Sequence, residues 1–185
     1  MPAVESVMLQ LGTPAPGFAL PDAVSGDTIT METFAAKTGL LVMFLCPHCP
    51  FVKHVEGELA KIGSDYGAAS LGIVAISSND VAQFPEDGPE GLREQARRLG
   101  FGFPYCYDET QEVARAYQAA CTPDFFLFDQ ARKLVYRGQL DGSRPGNQVP
   151  VTGADLRAAI GAVLGGHAVG SQQKPSIGCN IKWKA

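Results

Sequence analysis

An unbroken apolar segment that ends at a pair of cysteines constrains the fold more than any other part of the sequence. Residues 40–45 are all apolar, which is typical of a strand buried on both faces of a sheet. Cys46 and Cys49 follow at once. The next segment carries apolar residues at helical spacing, namely Phe51, Val52, Val55, Leu59, Ile62 and Tyr66. The cysteines therefore lie where a buried strand passes into a helix, which is where an open α/β sheet places its chemistry.

The start of a helix favours thiol chemistry for a physical reason. The first turn has unpaired N–H groups and the positive end of the helix dipole, and both stabilise a thiolate. We expect Cys46 to lie at the start of this helix, to be the more accessible and more acidic thiol, and to attack the substrate. Cys49, one turn further along, can resolve the mixed disulfide and close a disulfide with Cys46. Pro47 fixes the turn, and a charged His48 adds a second stabilising interaction for the Cys46 thiolate.

The composition limits the classes of function. The 185 residues, of which 45% are hydrophobic, are expected to form one domain over 1–185, with a core at about 11–168 and a tail at 169–185. A net charge of −4 offers no basic surface for nucleic acid, and no apolar segment is long enough to span a membrane. Residues 1–6 lack a signal-peptide pattern, so a cytoplasmic location is expected. Five cysteines, an odd number, argue against a purely structural disulfide framework.

The remaining elements are predicted from periodicity and from turn residues. Residues 18–22 and 28–30 predict an N-terminal hairpin, and Leu71–Ser77 predicts a second buried strand in a βαβ unit. The polar loop at 79–88 follows that strand, so it is expected at the same sheet edge as the cysteines. Further elements are a helix between Pro89 and Gly100, a strand at 103–107, a helix after a capping box at 108–111, a hairpin at 125–137 and a final helix capped by Thr152.

Four stretches carry a resemblance that covers nearly the whole chain. They are LGTPAP at 11–16, CPHCPFVKH at 46–54, ACTPDFFLF at 120–128 and PSIGCNIKW at 175–183. Together they resemble a bacterial subgroup of the thioredoxin-like superfamily, of the AhpC/TSA type, labelled thioredoxin-like or peroxiredoxin-like. The resemblance implies a thioredoxin-like α/β fold of three layers, with a central mixed sheet flanked by helices, an N-terminal hairpin and a mid-chain insertion. It also implies thiol–disulfide exchange through Cys46-Pro47-His48-Cys49, without a cofactor, on the disulfides or thiols of proteins or small molecules.

The same resemblance assigns roles to Thr122 and Pro123. Thioredoxin-like proteins carry a cis-proline that faces the redox cysteines, and Pro123 matches it. The backbone of Thr122 would then bind a substrate chain, as a strand edge pairs with a peptide. Cys121 would lie near the cysteine pair as a third thiol, whereas Cys106 is expected in the core.

Two departures keep alternative functions open. Thioredoxins bury a carboxylate behind their cysteines, and the matching position here is the apolar Met43. Peroxiredoxins carry a Pro-x-x-x-Thr/Ser-x-x-Cys loop, which neither cysteine of the pair completes. A peroxiredoxin-like thiol peroxidase is one alternative, and a metal-binding or redox-sensing module is another, with ligands from Cys46, Cys49, His48 and His54. His54 is expected to pair with Glu58 on the helix surface, and no metal is assigned.

The C-terminal tail carries apolar residues that disordered tails lack. Ile177, Ile181 and Trp183, the only tryptophan, are expected to dock on the domain. Cys179 lies between them, so docking would fix its position. If the tail crosses the carboxyl edge of the sheet, Cys179 becomes a further exchange partner of the redox turn.

Overall fold

A computed structural model describes residues 3–68 and 70–185 of the chain. Residues 1 and 2, which belong to the segment interpreted above as lacking a signal peptide, lie outside the described residues. The strands are β1 (Ala3–Glu5), β2 (Ala19–Pro21), β3 (Thr28–Thr30), β4 (Gly39–Phe44), β5 (Leu71–Ser77), β6 (Tyr105–Tyr107), β7 (Cys121–Thr122), β8 (Asp124–Phe128), β9 (Leu134–Gly138) and β10 (Ile177–Asn180). The helices are α1 (Pro50–Tyr66), α2 (Pro89–Leu99), α3 (Glu112–Ala116) and α4 (Ala154–Leu164), with 3-10 turns at Met31–Phe34 and Pro85–Asp87.

A five-stranded mixed sheet forms the centre of the fold, in the order β6-β5-β4-β8-β9. β4 pairs parallel with β5 and antiparallel with β8, and β5 pairs parallel with β6. The predicted βαβ unit and the predicted hairpin of β8 and β9 are both confirmed. β4 lies in the middle because its residues are buried on both faces.

Alternate side chains of β4 pack into two apolar layers. Leu41 and Met43 lie against α1, α2 and α4. Leu40, Val42 and Phe44 pack on the other face with the hairpin of β2 and β3, the Met31–Phe34 turn and α3. The segment between β5 and β7 contributes α2, β6 and α3. The predicted three-layer α/β fold is therefore confirmed.

Two helices begin differently from the prediction. α4 has Gly153 rather than Thr152 at its N-cap, because the carboxylate of Asp141 accepts the N–H groups of both residues at 2.7 and 2.6 Å. Gly153 has φ = 67°, a conformation that glycine adopts without strain. α3 has only five residues, and the carboxylate of Asp108 accepts the N–H of Ala114 at 2.9 Å in place of the predicted capping box.

The C-terminal tail docks on the domain as a strand. β10 lies between β1 and β7 in a second sheet of three strands, and Ile181 is buried. Docking of the tail is therefore confirmed, but Trp183 is wrong as an anchor. Its side chain is 36% exposed and lies against the guanidinium of Arg115, 4.5 Å from the ring centroid. Within residues 3–68 and 70–185, no helix has both the length and the apolarity needed to cross a bilayer.

Candidate active site

The cysteine pair lies at the junction of β4 and α1, as the sequence predicts, but the helix begins later than expected. α1 starts at Pro50, and Cys49 is its N-cap residue with φ = −69° and ψ = 123°. A proline excludes the preceding residue from the helical region, and proline itself fits the first helical position. Cys46 is therefore not at the start of the helix, and the positive end of the dipole lies at Cys49.

Thr122 and Pro123 face the two thiols. The Thr122–Pro123 peptide bond is cis, which confirms the conformation that the resemblance implies. Cys46 Sγ lies 3.3 Å from Thr122 Oγ1. Cys49 Sγ lies 3.2 Å from the carbonyl oxygen of Thr122, to which its thiol donates when protonated. The two cysteine side chains also hydrogen-bond to each other, so they are placed for dithiol chemistry.

The structure reverses the predicted order of acidity. The pKa of Cys49 is lowered to about 4, first by the hydrogen bond from the Cys46 thiol and further by donors that include Cys179 and the Val52 N–H. The pKa of Cys46 is raised, first by burial and then by its contact with Cys49. Both residues are fully buried. The expectation that Cys46 is the more accessible thiol is therefore wrong, and the directions of the two pKa shifts favour Cys49 as the thiolate of the pair.

His48 is held by a carboxylate that the sequence analysis did not identify. Its ring Nδ1 hydrogen-bonds with Asp87 Oδ2, and its backbone N–H donates to Asp87 Oδ1 at 3.1 Å. The ring stacks on Phe84 with centroids 4.2 Å apart. Asp87 engages Nδ1, whereas the other ring nitrogen, Nε2, is buried and has no hydrogen-bond partner among the described residues. The thiol-tuning role of His48 and of Pro47 stays a prediction.

Asp87 is fully buried at the end of the loop after β5. The side chain of Asn79 donates to its carboxylate at 2.9 Å, and the hydroxyl of Ser77 donates to its carbonyl at 3.2 Å. The predicted position of the 79–88 loop beside the cysteines is thereby confirmed. The predicted position of the loop was the only sequence signal that pointed to Asp87, because nothing in the sequence distinguishes Asp87 from the other acidic residues of the loop.

The side chain of Cys46 and two neighbouring side chains could together hold a metal ion. The ligand atoms of Cys46, His48 and Asp87 all lie within 4.8 Å of one another. This set differs from the predicted one, because the His54 ring hydrogen-bonds to the Ser143 hydroxyl at 2.7 Å. The predicted pair of His54 and Glu58 is also wrong, since Glu58 binds the guanidinium of Arg157 at 2.6 Å.

Two of the three other buried cysteines, Cys106 and Cys121, differ from the redox pair. Cys106 is buried in β6, as predicted, and burial raises its pKa to about 12. Cys121 is also buried, and its thiol donates to the carbonyl of Pro123 at 3.6 Å. Burial raises its pKa, and the neighbouring Asp124 raises it further. Asp124 is a second buried carboxylate that the sequence analysis missed, and burial raises its pKa to about 7.

The acidity of Cys49 predicts a titration at low pH. In the reduced protein, the far-ultraviolet absorbance of one thiolate should appear with a midpoint at about pH 4, the pKa to which Cys49 is lowered. Cys49→Ser should remove this transition. Cys46→Ser should shift it to higher pH, because the thiol of Cys46 makes the largest hydrogen-bond contribution. Cys106→Ser, the control, should leave it unchanged. Appearance of the first thiolate only in the ordinary cysteine range would contradict the assignment.

Comparison with known proteins assigns the chain to a family. The model described as the AhpC/TSA family matches residues 11–137. An uncharacterized conserved protein from Geobacillus kaustophilus is 55% identical, with 100% of this chain and 97% of that chain covered and a TM-score of 0.97. A hypothetical protein from Sinorhizobium meliloti is 52% identical, with 98% of each chain covered and a TM-score of 0.96.

A more distant likeness supports the fold. A thiol:disulfide interchange protein of the thioredoxin family from Chlorobium tepidum is 16% identical, with 85% of this chain and 99% of that chain covered and a TM-score of 0.64. At that identity the likeness shows the thioredoxin fold alone. No curated protein matches the chain.

Proposed function

The chain belongs to the AhpC/TSA family, and on that premise we propose that it is a thiol–disulfide oxidoreductase that works by dithiol–disulfide exchange through Cys46 and Cys49. The observation that carries the proposal is the contact of these two thiols at the N-cap of α1, facing the cis peptide bond before Pro123. Thiols exchange only where geometry lets them meet, and this pair already meets.

The acidity of the two thiols sets the order of steps in this proposal. The thiolate is the reacting species, so Cys49 attacks one sulfur of a substrate disulfide. The substrate S–S bond breaks, its second sulfur leaves as a thiolate, and a mixed disulfide forms on Cys49. Cys46 then attacks the Cys49 sulfur, releases the reduced substrate and leaves a Cys46–Cys49 disulfide. This order reverses the roles that the sequence predicts for the two cysteines.

The pair of His48 and Asp87 supplies the proton acceptor that this second step needs. The Cys46 thiol must lose its proton to attack, and burial raises its pKa. An imidazole held by a buried carboxylate beside it can accept that proton. This pair replaces the buried carboxylate that thioredoxins carry where this chain has Met43.

The assay for this function compares a protein disulfide with a peroxide. The reduced protein is expected to reduce the disulfides of insulin, which releases precipitating chains, faster than it consumes hydrogen peroxide at equal concentration. The physical reason is that Cys46 and Cys49 lie against the same residue, Thr122, as a dithiol pair, whereas the peroxiredoxin loop is absent from the sequence.

Two controls accompany this comparison. Cys106→Ser should behave as the wild-type chain, because that thiol lies in β6. A metal assay on the same preparation tests the Cys46, His48 and Asp87 cluster, and a stoichiometric metal ion would favour the binding alternative. Rapid, saturable peroxide consumption that depends on the cysteine pair, without insulin reduction, would establish the peroxidase alternative and contradict the proposal.

A further inference from the structure

The strand that carries Cys179 lies where a substrate chain was predicted to bind. β10 pairs antiparallel with β7, so that Cys179 is opposite Thr122 and Asn180 is opposite Cys121. The hydroxyl of Ser176 donates to the carbonyl of Pro123 at 2.6 Å. A segment of the protein itself therefore fills the strand position beside the cis peptide bond, in the manner of a bound peptide.

A glycine allows this strand to approach closely. A Cβ atom at Gly178 would lie 2.0 Å from the carbonyl oxygen of Thr122, a distance that no side chain tolerates. On its other edge β10 pairs with β1, and the backbone of Ser176 accepts the Ser6 N–H at 2.9 Å. Cys179 is only 3% exposed. The position of Cys179 is thus set by backbone pairing on both sides.

This placement brings a third thiol to Cys49. Cys179 pairs with Thr122, whose carbonyl oxygen lies 3.2 Å from Cys49 Sγ. At this position the Cys179 side chain contributes to lowering the pKa of Cys49, as the Cys46 thiol does. Cys49 is therefore the central member of a cluster of three thiols. Cys121, the other predicted third thiol, donates instead to the carbonyl of Pro123. Of the two candidates, Cys179 is the better placed to reach Cys49.

We propose that Cys179 is an internal exchange partner of Cys49, so that the oxidised protein interconverts between a Cys46–Cys49 and a Cys49–Cys179 disulfide. The inference rests on the proposed function, which supplies the first disulfide. In the exchange the Cys179 thiolate attacks Cys49 Sγ, the bond between Cys46 and Cys49 breaks, and the bond between Cys49 and Cys179 forms. The proton lost by Cys179 ends on Cys46. The number of disulfides is unchanged, so the step needs no further oxidant.

The second disulfide has a distinct consequence for the site. Cys46, the thiol beside His48 and Asp87, becomes a free thiol again, while the protein still contains one disulfide bond. The second disulfide also joins β10 covalently to the first residue before α1. β10 is then held covalently beside Thr122. We therefore expect this form to retain its disulfide without binding a peptide substrate.

A variant that lacks Cys46 isolates the second bond. The full chain with Cys46→Ser is oxidised with glutathione disulfide, quenched with acid, alkylated and digested with trypsin. Cys49 then lies on the peptide 38–53 and Cys179 on the peptide 158–182. We expect these two peptides to be linked in most molecules, in at least about tenfold excess over any link to the Cys121 peptide, because exchange requires contact. In Cys46→Ser/Cys179→Ser, glutathione should instead remain on Cys49.

The wild-type chain provides the matched test without any substitution. After oxidation, both a bond within the peptide 38–53 and a link from it to 158–182 are expected, and Cys179→Ser should remove only the link. Glutathione retained on Cys49 of Cys46→Ser while Cys179 stays reduced would overturn the inference and leave the proposed function intact. A wild-type chain that never links Cys46 to Cys49 would instead contradict the proposed function.

Discussion

Replacing Cys49 by serine is expected to lower the rate of insulin reduction by at least about a thousandfold, because it removes the thiolate on which the exchange depends. Serine has a similar size and is a favoured residue at a helix N-cap, the position that Cys49 occupies, so the fold should persist. Its hydroxyl is not ionised at neutral pH and cannot form a disulfide. The initial rate at saturating insulin, together with the melting temperature of the variant, separates loss of chemistry from loss of structure.

Cys106→Ser is the matched control for this substitution. Cys106 is another fully buried cysteine, but it lies in β6 and burial raises its pKa to about 12. The Cys106→Ser variant should keep the wild-type rate of insulin reduction within about twofold, because the substitution does not change the cysteine pair or its neighbours. If Cys49→Ser loses turnover but accumulates a mixed disulfide between the substrate and Cys46, the order of attack derived from the structure is incorrect.

Asp87→Asn should slow the resolving step by about a hundredfold, because an oriented base contributes rate factors of this size and above. Asparagine keeps the shape of the side chain, but its amide cannot hold the imidazole of His48 in the same way as a carboxylate does. A single-turnover measurement should show the mixed disulfide persisting in the variant. The substitution also removes a negative charge that raises the pKa of Cys46, so the pH profile of this step should shift to lower pH.

Glu86→Gln controls for a change of charge in the same loop. Glu86 is exposed and adjoins Asp87 in the sequence, but the described contacts of His48 do not include it. We expect its rate and pH profile to match those of the wild-type chain. An Asp87→Asn variant whose profile is unshifted and whose mixed disulfide resolves at the normal rate would reduce Asp87 to a structural residue.

The central elements of the fold were predictable because local sequence signals mark where each element begins and ends. β5 occupies the apolar segment 71–77, which ends at a polar loop. α2 runs from Pro89 to Leu99, between a proline that fits the first turn and Gly100 with φ = 67°. The pairing of β10 with β7 was not predictable, because it joins segments more than fifty residues apart in the sequence and depends on the close approach at Gly178.

The active site was predicted in part for the same physical reasons. The strand–helix junction identified Cys46 and Cys49, and the resemblance to thioredoxin-like proteins implied the cis bond before Pro123. Cys49 as the N-cap residue could have been found from Pro50, which bars its neighbour from the helix. Asp87 could not have been found, because its contact with His48 spans 39 residues and is formed only by the tertiary fold.

The most direct test of the account is a redox titration that follows every cysteine at once. The wild-type chain is equilibrated in buffers of graded ratio of reduced to oxidised glutathione, quenched with acid, alkylated and mapped by mass spectrometry. Cys46 and Cys49 should become protected from alkylation together, in a two-electron transition that forms a bond within the peptide 38–53, whereas Cys106 stays alkylated throughout. If Cys46 and Cys49 stay fully alkylated across the series, or only acquire separate glutathione adducts, the proposed exchange through this pair is contradicted.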